Sequence, residues 1–288
     1  MNAVTIKPGI LYLCATPIGN LEDITFRAVR ILREVTLVAA EDTRHTRKLL
    51  SHYDIHTTLT SYHEHNKVER GPELIERLLA GDDIAVVSDA GLPGISDPGA
   101  DLVKLAIDAG ITVSPIPGPS AALAGLVMSG LDTGKFLFAG FLPKTAKKRR
   151  ELLDALANVQ YTLVFYESPY RIVSVLEEMA TIFGGNRPAT AGREMTKKFE
   201  EFVRGTVGTL CSHFRQSTPR GEFTLIVAGA KAVAEPDCDT PVDPGAQVMT
   251  LIANGISKKD AIKMVAQKLA LPKREVYQAV LNLPDQSG

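Results

Sequence analysis

The first half of the chain alternates short apolar runs with longer stretches in which apolar residues recur at helical spacing. The apolar runs are rich in β-branched side chains and predict buried strands. They lie at Ile10–Leu13, Thr36–Ala40, Thr58–Tyr62, Ile84–Val87 and Thr112–Ile116. The amphipathic stretches between them predict helices at Thr25–Glu34, Thr43–Ser51, Val68–Ala80 and Pro98–Ala109. This alternation predicts an α/β domain, residues 1–130, with a mostly parallel sheet and helices on both faces.

From Gly134 the pattern becomes less regular and predicts a second α/β domain, residues 131–230. Its predicted strands are Phe136–Ala139, Tyr161–Tyr166, Ala189–Glu194, Glu201–Gly205 and Phe223–Ala228. Its predicted helices are Thr145–Leu156, Pro169–Phe183 and Val207–Phe214. We expect Ser168 to cap the helix in which Pro169 comes first, because serine caps helices well and proline suits the first helical position.

The end of the chain predicts a linker and a small helical module. Residues 231–246 hold three prolines and little apolar periodicity, which is typical of a linker. Residues 247–288 predict three short helices, compatible with a helix-turn-helix module; Ser257 and Asp260 suggest a capping box, and Pro272 opens the last helix. Its lysines would either contact phosphates or form the solvated face of a module for oligomerisation or stability.

Composition limits the possible classes of protein. The net charge of −1 does not by itself indicate nucleic-acid binding. Cys14, Cys211 and Cys238 share no metal-ligand spacing and suit a reduced cytoplasm, so we expect a cytoplasmic protein without a metal. The first residues lack a signal-peptide core, and the most apolar window, 121–131, is too short to span a bilayer.

Three of the predicted strands run into loops rich in glycine and proline. These loops are Cys14–Asn20, Ser88–Gly99 and Pro117–Ala122, and in the second of them Ser96 or Asp97 is expected to cap the next helix near Pro98. Open α/β sheets bind ligands at the carboxyl ends of their strands, and such loops let backbone groups approach a small molecule. The pattern predicts one crevice lined by strand ends, although a single loop of this kind is also an ordinary tight turn.

Eight blocks of the sequence together resemble the ribosomal small-subunit methyltransferase I family, the rRNA branch of the tetrapyrrole-methylase superfamily. The blocks are ATPIGNLEDITFRA (15–28), AAEDTRHTRKLL (39–50), SYHEHN (61–66), VSDAGLPGISDPG (87–99), PIPGPSA (115–121), FYESPYR (165–171), GREMTK (192–197) and RGEFTL (220–225). Tetrapyrrole methylases carry a G-x-G-P-G-D type block after the first strand, but this chain has Ala15-Thr16-Pro17-Ile18-Gly19-Asn20, without the final carboxylate. This departure argues against a porphyrin-like substrate.

The resemblance implies an α/β tetrapyrrole-methylase-like fold with a mostly parallel first sheet and a mixed second sheet. It also implies a homodimer that binds S-adenosylmethionine between its domains and methylates the ribose 2′-hydroxyl of a cytidine in the decoding centre of 16S rRNA. Carried over by motif, the cofactor contacts would be Pro17, Ser88, Asp89, Ala90, Ile95, Ser120, Ala121, Glu167 and Met195.

Candidate catalytic residues follow the second strand. Methyl transfer to a hydroxyl benefits from a general base, and Glu41 or Asp42 could supply it while Arg44 holds a phosphate. The alternative is that Asp42 or Thr43 only caps the next helix.

Further polar clusters could contact the substrate. His63, His65 and Asn66 follow the third strand, and substrate contact suits them better than a metal site. Arg193 and Lys197 lie with Glu194 and Lys198 in a cluster that could bind substrate or form structural ion pairs. The basic run Lys144–Arg150 could contact rRNA phosphates or be a solvated helix face. A small-molecule methylase and a non-catalytic RNA-binding assembly factor remain the alternative functions.

Overall fold

A computed structural model describes residues 7–217, 219–231, 243–253, 255–269 and 271–282. The chain forms two compact units, Met1–Lys231 and Ala232–Gly288. The first unit contains two five-stranded sheets, and the second contains three helices. In the part of the chain that is described, no helix has the length and apolar character needed to cross a membrane.

The first sheet is entirely parallel, with strand order β3-β2-β4-β1-β5. Its strands are β1 (Ile10–Cys14), β2 (Leu37–Ala40), β3 (Thr58–Ser61), β4 (Ile84–Val87) and β5 (Thr112–Ile116). Every residue of β2 and β4 is buried, because helices cover both faces. The strand predictions for this half are confirmed to within one residue at each end.

Helices pack on both faces of the first sheet, as the alternating pattern predicted. They are α1 (Phe26–Glu34), α2 (Thr43–His52), α3 (Lys67–Leu79) and α4 (Gly99–Asp108). Apolar side chains of α1 and α2 pack on one face, and those of α3 and α4 pack on the other. The first helix begins where expected, because the Thr25 side chain accepts a hydrogen bond from the Ala28 N–H.

The second sheet is mixed, with strand order β6-β7-β10-β8-β9. Its strands are β6 (Phe136–Phe141), β7 (Thr162–Glu167), β8 (Pro188–Arg193), β9 (Glu201–Thr206) and β10 (Phe223–Val227). Only β6 and β7 pair in parallel; the other three pairs are antiparallel. One face packs against α6 (Ala146–Leu156), α7 (Ile172–Met179) and α8 (Val207–Gln216).

Helix α5 (Ala121–Ser129) follows the first sheet in the chain but packs on the other face of the second sheet. Ala122 and Leu126 contact Val164 and Ile226 there. Gly125 makes the approach close, since a Cβ at this position would lie 2.9 Å from Cγ2 of Thr224. Helix α5 therefore connects the two sheets of the first unit.

The predicted start of α7 is wrong. The helix predicted at Pro169–Phe183 begins at Ile172, and the Ser168 side chain does not cap it. The Ser168 N–H and the Arg171 side chain both donate hydrogen bonds to the Glu167 carboxylate, and these bonds keep residues 168–171 as a turn. Its end widens into a π-helical turn at Ala180–Gly184. Helix α4 begins at Gly99, one residue after the predicted start, with Pro98 at its N-cap position; of the two expected caps, Asp97 accepts a hydrogen bond from the Gly99 N–H.

The second unit has its own apolar core beneath α9 (Pro244–Ala253), α10 (Lys258–Lys268) and α11 (Lys273–Leu281). Most of the predicted linker 231–246 lies outside the described residues, and α9 begins within it rather than at Gln247. Ser257 caps α10 by accepting a hydrogen bond from the Asp260 N–H. Only half of the capping box forms, because the Asp260 carboxylate accepts the Ser257 hydroxyl instead of a backbone N–H.

Candidate functional site

A cavity of about 270 Å³ lies in the first unit where loops from the edges of its two sheets meet. The first sheet contributes the residues after β2, β4 and β5, and the second sheet contributes the ends of β6, β7 and β8 and the start of β10. The predicted cofactor contacts that line it are Ser88, Asp89, Ala90, Ile95, Ser120, Ala121, Glu167 and Met195. Pro17 lines an adjoining second cavity instead.

The loops after β1 and β4 are joined by two reciprocal backbone hydrogen bonds. The Thr16 N–H donates to the Gly91 carbonyl at 2.9 Å, and the Gly91 N–H donates to the Thr16 carbonyl at 3.0 Å. The Thr16 hydroxyl also donates to the Ser88 carbonyl. Gly91 has a φ of 82°, which favours glycine. These bonds hold the Ser88–Ala90 turn in place between the two cavities, both of which it lines.

The rest of the loop after β4 is organised by one carboxylate. Asp97 accepts hydrogen bonds from the backbone N–H groups of Gly94, Ile95 and Gly99. Asp97 thereby folds residues 94–99 into a tight turn and also accepts a hydrogen bond from the N–H of Gly99, the first residue of α4. That turn leaves Ile95 partly exposed at the cavity wall.

Glu167 lines the cavity but its carboxylate is already bound. This buried group accepts two hydrogen bonds from the Arg171 guanidinium, at 2.9 and 2.7 Å, and one from the Ser168 N–H. The same guanidinium donates to the carbonyl of Leu142. The arrangement makes Glu167 a structural anchor that shapes the cavity wall.

The two adjacent candidate bases after β2 lie in different environments. Glu41 lines the cavity, and its carboxylate accepts a hydrogen bond from the Asp89 N–H at 3.4 Å. Burial raises the pKa of Glu41, and the charges of Asp89, Asp97 and Asp42 raise it further, against the hydrogen bond from Asp89. A carboxylate with a raised pKa is the better proton acceptor near neutral pH.

Asp42 caps α2, as the structural alternative proposed. Its carboxylate accepts hydrogen bonds from the Arg44 N–H at 2.8 Å and from the Arg44 guanidinium at 3.1 and 2.8 Å. These bonds, from the side chain first and then the backbone, hold the pKa of Asp42 well below its usual range. Asp42 and Arg44 line neither cavity. The pair therefore fixes the start of α2 beside the site.

The residues predicted after β3 lie away from both cavities. Asn66 holds the turn itself: its side-chain oxygen accepts from the His63 N–H, and its amide donates to Ser61. The rings of His63 and His65 contact each other edge to face. None of His63, His65 and Asn66 lines either cavity.

The predicted cluster after β8 divides into two parts. Arg193 forms an ion pair with Glu201 at 2.9 Å and lies outside the cavities. Lys197 lines both cavities, and its ammonium group lies 2.9 Å from Glu194 and 3.2 Å from Glu222. A Cβ at Gly19 would lie 2.4 Å from Cγ of Lys197, so this loop packs closely against the loop after β1.

Sequence reasoning did not assign a role to several residues of the cavity. The Tyr166 hydroxyl accepts a hydrogen bond from the Ala122 N–H at the start of α5, and burial raises the pKa of this hydroxyl. Glu222, Phe223 and Thr224 also line the wall. All four lie in the blocks 165–171 and 220–225 that carried the family resemblance, which was the available signal.

No group of three or more His, Cys, Asp or Glu residues that could hold a metal ion occurs within the described ranges. The site is built from carboxylates, one lysine, small polar side chains and apolar walls. Such a set suits a small organic molecule that carries positive charge and an aromatic ring.

Comparison with known proteins gives close relatives over nearly the whole chain. It is 51% identical to a protein of Halalkalibacterium halodurans over 93% of each chain and 47% identical to one of Bacillus subtilis over 94% of each chain. A Synechocystis protein is 46% identical and covers 96% of this chain and 98% of its own. All three bear the name Ribosomal RNA small subunit methyltransferase I.

Solved structures share the fold at low sequence identity. The uroporphyrin-III-C-methyltransferase from Thermus thermophilus has a TM-score of 0.56 and 20% identity, covering 76% of this chain and 94% of its own. A diphthine synthase has a TM-score of 0.59 and 13% identity, covering 77% and 90%. A family model described as Tetrapyrrole (Corrin/Porphyrin) Methylases matches residues 10–211. The chain therefore belongs to the tetrapyrrole methylase family and, within it, to the group of ribosomal RNA small subunit methyltransferases I.

Proposed function

We propose that the protein uses S-adenosylmethionine to methylate the ribose 2′-hydroxyl of a cytidine in the decoding centre of 16S rRNA. The observation that carries this proposal is Glu41, a partly buried carboxylate with a raised pKa, on the wall of a cavity that both sheets build. Support for the RNA substrate comes from two relatives that are 51% and 47% identical to this chain and that both bear the name Ribosomal RNA small subunit methyltransferase I. Such an enzyme would work in the cytoplasm.

The residues of the cavity fit the proposed methyl donor. Ile95, Phe141 and Met195 provide apolar walls for an adenine ring, and Asp89 provides negative charge that complements a cationic sulfur centre. When bound, S-adenosylmethionine supplies a methyl group activated by a positively charged sulfur. Ser120 and Ala121, at the start of α5, would contact its polar groups.

In this proposal Glu41 is the general base. Its carboxylate takes the proton from the ribose hydroxyl as that oxygen attacks the methyl carbon in line with the departing sulfur, so that the alcohol does not have to lose its proton to water. Asp42, Glu167 and Glu194 are poorer candidates, because their carboxylates are already engaged in hydrogen bonds from Arg44, Arg171 and Lys197, respectively. The rest of the cavity would position the reactants.

Labelled methyl transfer to small ribosomal subunits that lack the modification tests this function. We expect the label on RNA, and nuclease mapping should recover it on the ribose of a single cytidine. Label on a base nitrogen, or none on RNA, would overturn the proposal.

The two alternatives give different results in the same assay. A small-molecule methylase would bind the donor but leave RNA unlabelled, and the Pro17-Ile18-Gly19-Asn20 loop, which lacks a terminal carboxylate, argues against it. A non-catalytic assembly factor would fail to bind the donor in calorimetric titration.

We also propose that the protein is a homodimer formed through α5. Leu123, Val127 and Met128 are about half exposed or more, and their spacing puts them on adjacent parts of one helix surface. A second copy could bury this stripe. Sedimentation analysis should give a dimer for the wild type and a monomer for Val127→Glu. If both proteins sediment as dimers, the assignment of the interface to α5 is overturned.

A further inference from the structure

A second cavity of about 380 Å³ adjoins the proposed donor site, and the proposed function as stated gives it no role. The two cavities share the Ser88–Ala90 turn, Ile18, Lys197 and Glu222. The second cavity extends away from the second sheet, between the loop after β1 and helix α2, where Pro17, Leu21, His45, Thr46 and Leu49 line it. Its volume is typical of small-molecule sites, which occupy about 300–1,000 Å³.

The lining of this cavity combines flat apolar walls with polar groups. Pro17, Leu21 and Leu49 are apolar, whereas His45 and Lys197 can donate hydrogen bonds and Glu222 can accept them. A nucleoside has the matching character, because its base has apolar faces and polar edges and its ribose carries hydroxyl groups.

The cavity lies beside the candidate base. Glu41 accepts a hydrogen bond from the Asp89 N–H, and Asp89 lines both cavities. The Asp42 N–H in turn donates to the Asp89 carboxylate at 3.0 Å, so the end of β2 and the turn after β4 are tied together in both directions. A ribose in the second cavity would therefore adjoin the donor site, whose wall carries the proposed proton acceptor Glu41.

Helix α2 carries exposed basic residues near the second cavity. His45 lines the cavity, and Arg47 and Lys48 lie outside it on the same helix. Positive side chains at this position would contact the phosphates that flank a bound nucleoside. Because an acceptor within a stacked strand could not enter so narrow a site, it would have to be turned out of the stack.

We propose that the second cavity is the acceptor site, which binds one nucleoside turned out of a single-stranded RNA, with His45 contacting it at the mouth. This assignment rests on the proposed function, since it names where the RNA substrate of that reaction would bind. It adds His45, Thr46 and the loop after β1 to the residues that decide which RNA is methylated.

Two substitutions at position 45 and one matched control test the acceptor site. His45 is exposed, so His45→Trp and His45→Ala should fold normally, and His52→Ala alters the same residue type at the far end of the same helix. With unmodified small ribosomal subunits as substrate, we expect kcat/KM to fall at least tenfold in His45→Trp and severalfold in His45→Ala. His52→Ala should match the wild type, and calorimetry should give all four proteins the same Kd for S-adenosylmethionine.

A photo-crosslinking amino acid at position 45 gives a readout that does not depend on turnover. We expect it to crosslink rRNA within a few nucleotides of the methylated residue, whereas the same group at position 52 should not. Loss of donor affinity in His45→Trp, an unchanged kcat/KM, or crosslinks equal at both positions would each overturn the acceptor site while wild-type RNA methylation still supports the proposed function. An absence of wild-type RNA methylation would instead overturn the proposed function, and the acceptor site with it.

Discussion

Glu41 and Asp42 are neighbours in the chain, yet their surroundings favour opposite protonation behaviour. The Glu41 side chain lies at the cavity wall, where burial and nearby carboxylates disfavour its charged form. Asp42 is at the N-cap of α2, where Arg44 and backbone N–H groups stabilise the charged form. Only Glu41 therefore combines access to the cavity with the affinity for a proton that a general base needs.

Substitution of the two carboxylates should separate catalysis from helix capping. We expect Glu41→Gln to lower turnover by about 10²–10⁴-fold, the usual contribution of a general base. Asp42→Asn should retain most activity, because asparagine is also a good N-cap residue. Donor affinity, measured by calorimetry, should stay within twofold of wild type in both. Equal losses of turnover in the two variants would contradict the assignment.

The pH dependence of the reaction should report the environment of Glu41. A base must be deprotonated to act, so kcat at saturating donor should fall as the pH drops through the raised pKa of Glu41. The Asp89 charge raises that pKa, so Asp89→Asn should shift this acidic limb to lower pH, while the backbone hydrogen bond from residue 89 remains. The charges of Asp97 and Asp42 also raise the pKa of Glu41, so part of the upward shift in that pKa should remain in Asp89→Asn. If the acidic limb of the Asp89→Asn profile stays where it is in the wild type, a group other than Glu41 controls the pH dependence.

The buried pair of Glu167 and Arg171 should matter for folding. Arg171→Ala leaves the fully buried Glu167 carboxylate without its guanidinium partner, so we expect a loss of about 3–5 kcal/mol in the free energy of unfolding. Arg215→Ala is the control, because Arg215 and Glu177 form a solvent-exposed pair whose loss should change the free energy of unfolding little. Urea unfolding measures both. If both variants lose only a little stability, then water or a rearrangement of neighbouring groups replaces the Arg171 guanidinium at the Glu167 carboxylate.

At the scale of elements, Gly125 determines how closely α5 approaches the second sheet. Two buried helical glycines provide a matched test of this contact. At Gly125 of α5 a Cβ would meet Cγ2 of Thr224 at 2.9 Å and Cδ1 of Ile226 at 3.2 Å, both on buried strand residues. At Gly71 of α3 it would meet only the end of the partly exposed Leu105 side chain, at 2.8 Å, which can move away.

Alanine at these two positions should have opposite effects. Alanine favours a helix over glycine by about 1 kcal/mol, so Gly71→Ala should be neutral or stabilising by up to that amount. Gly125→Ala should be destabilising by about 1–2 kcal/mol, because overpacking outweighs that gain. It should also weaken donor binding, since Thr224 lines the cavity. Urea unfolding and calorimetry test both effects; a stabilised Gly125→Ala with normal donor affinity would contradict the close contact.

The elements that the sequence predicted well are those with a local signal. Strands β1, β2 and β4 follow from continuous apolar runs, and Thr25 marks the start of α1 by capping chemistry. The start of α7 was misplaced because a long-range hydrogen bond to the Leu142 carbonyl and a buried ion pair hold Arg171, and no local pattern reports these.

The same distinction explains which site residues the sequence suggested. The loops after β4 and β5 belong to parallel strands, so their carboxyl ends had to meet at one edge. Glu222, Phe223 and Thr224 were missed because they are at the beginning of β10, which runs antiparallel to β7 and β8. Strand direction within the second sheet cannot be deduced from apolar spacing, so the hydrophobic pattern did not point to these three residues and only the block 220–225 of the family resemblance did.

At the scale of the whole molecule, both cavities are lined entirely by residues 16–224 of the first unit. The second unit has a separate core and a basic surface. Among its described residues, Lys258, Lys259, Lys263, Lys268, Lys273 and Arg274 outnumber the acids Asp243, Asp260 and Glu275. We propose a division of labour in which the first unit would hold donor and acceptor and the second would add attraction for RNA phosphates.

Charge reversal on α10 tests this division in the full-length chain. Lys259 and Lys263 are exposed and four residues apart on one helix face, so Lys259→Glu combined with Lys263→Glu should leave folding and donor affinity unchanged. RNA affinity should fall, and because each lost phosphate contact removes about 0.7 from the slope of log K against log salt for single strands, loss of the two lysine contacts should make the slope shallower by about 1.4. Glu275→Lys should change affinity in the opposite direction. Filter binding over a range of salt concentrations measures the RNA affinity of the wild type and of both variants. Identical salt slopes would mean that the basic surface of the second unit faces solvent and does not contact RNA.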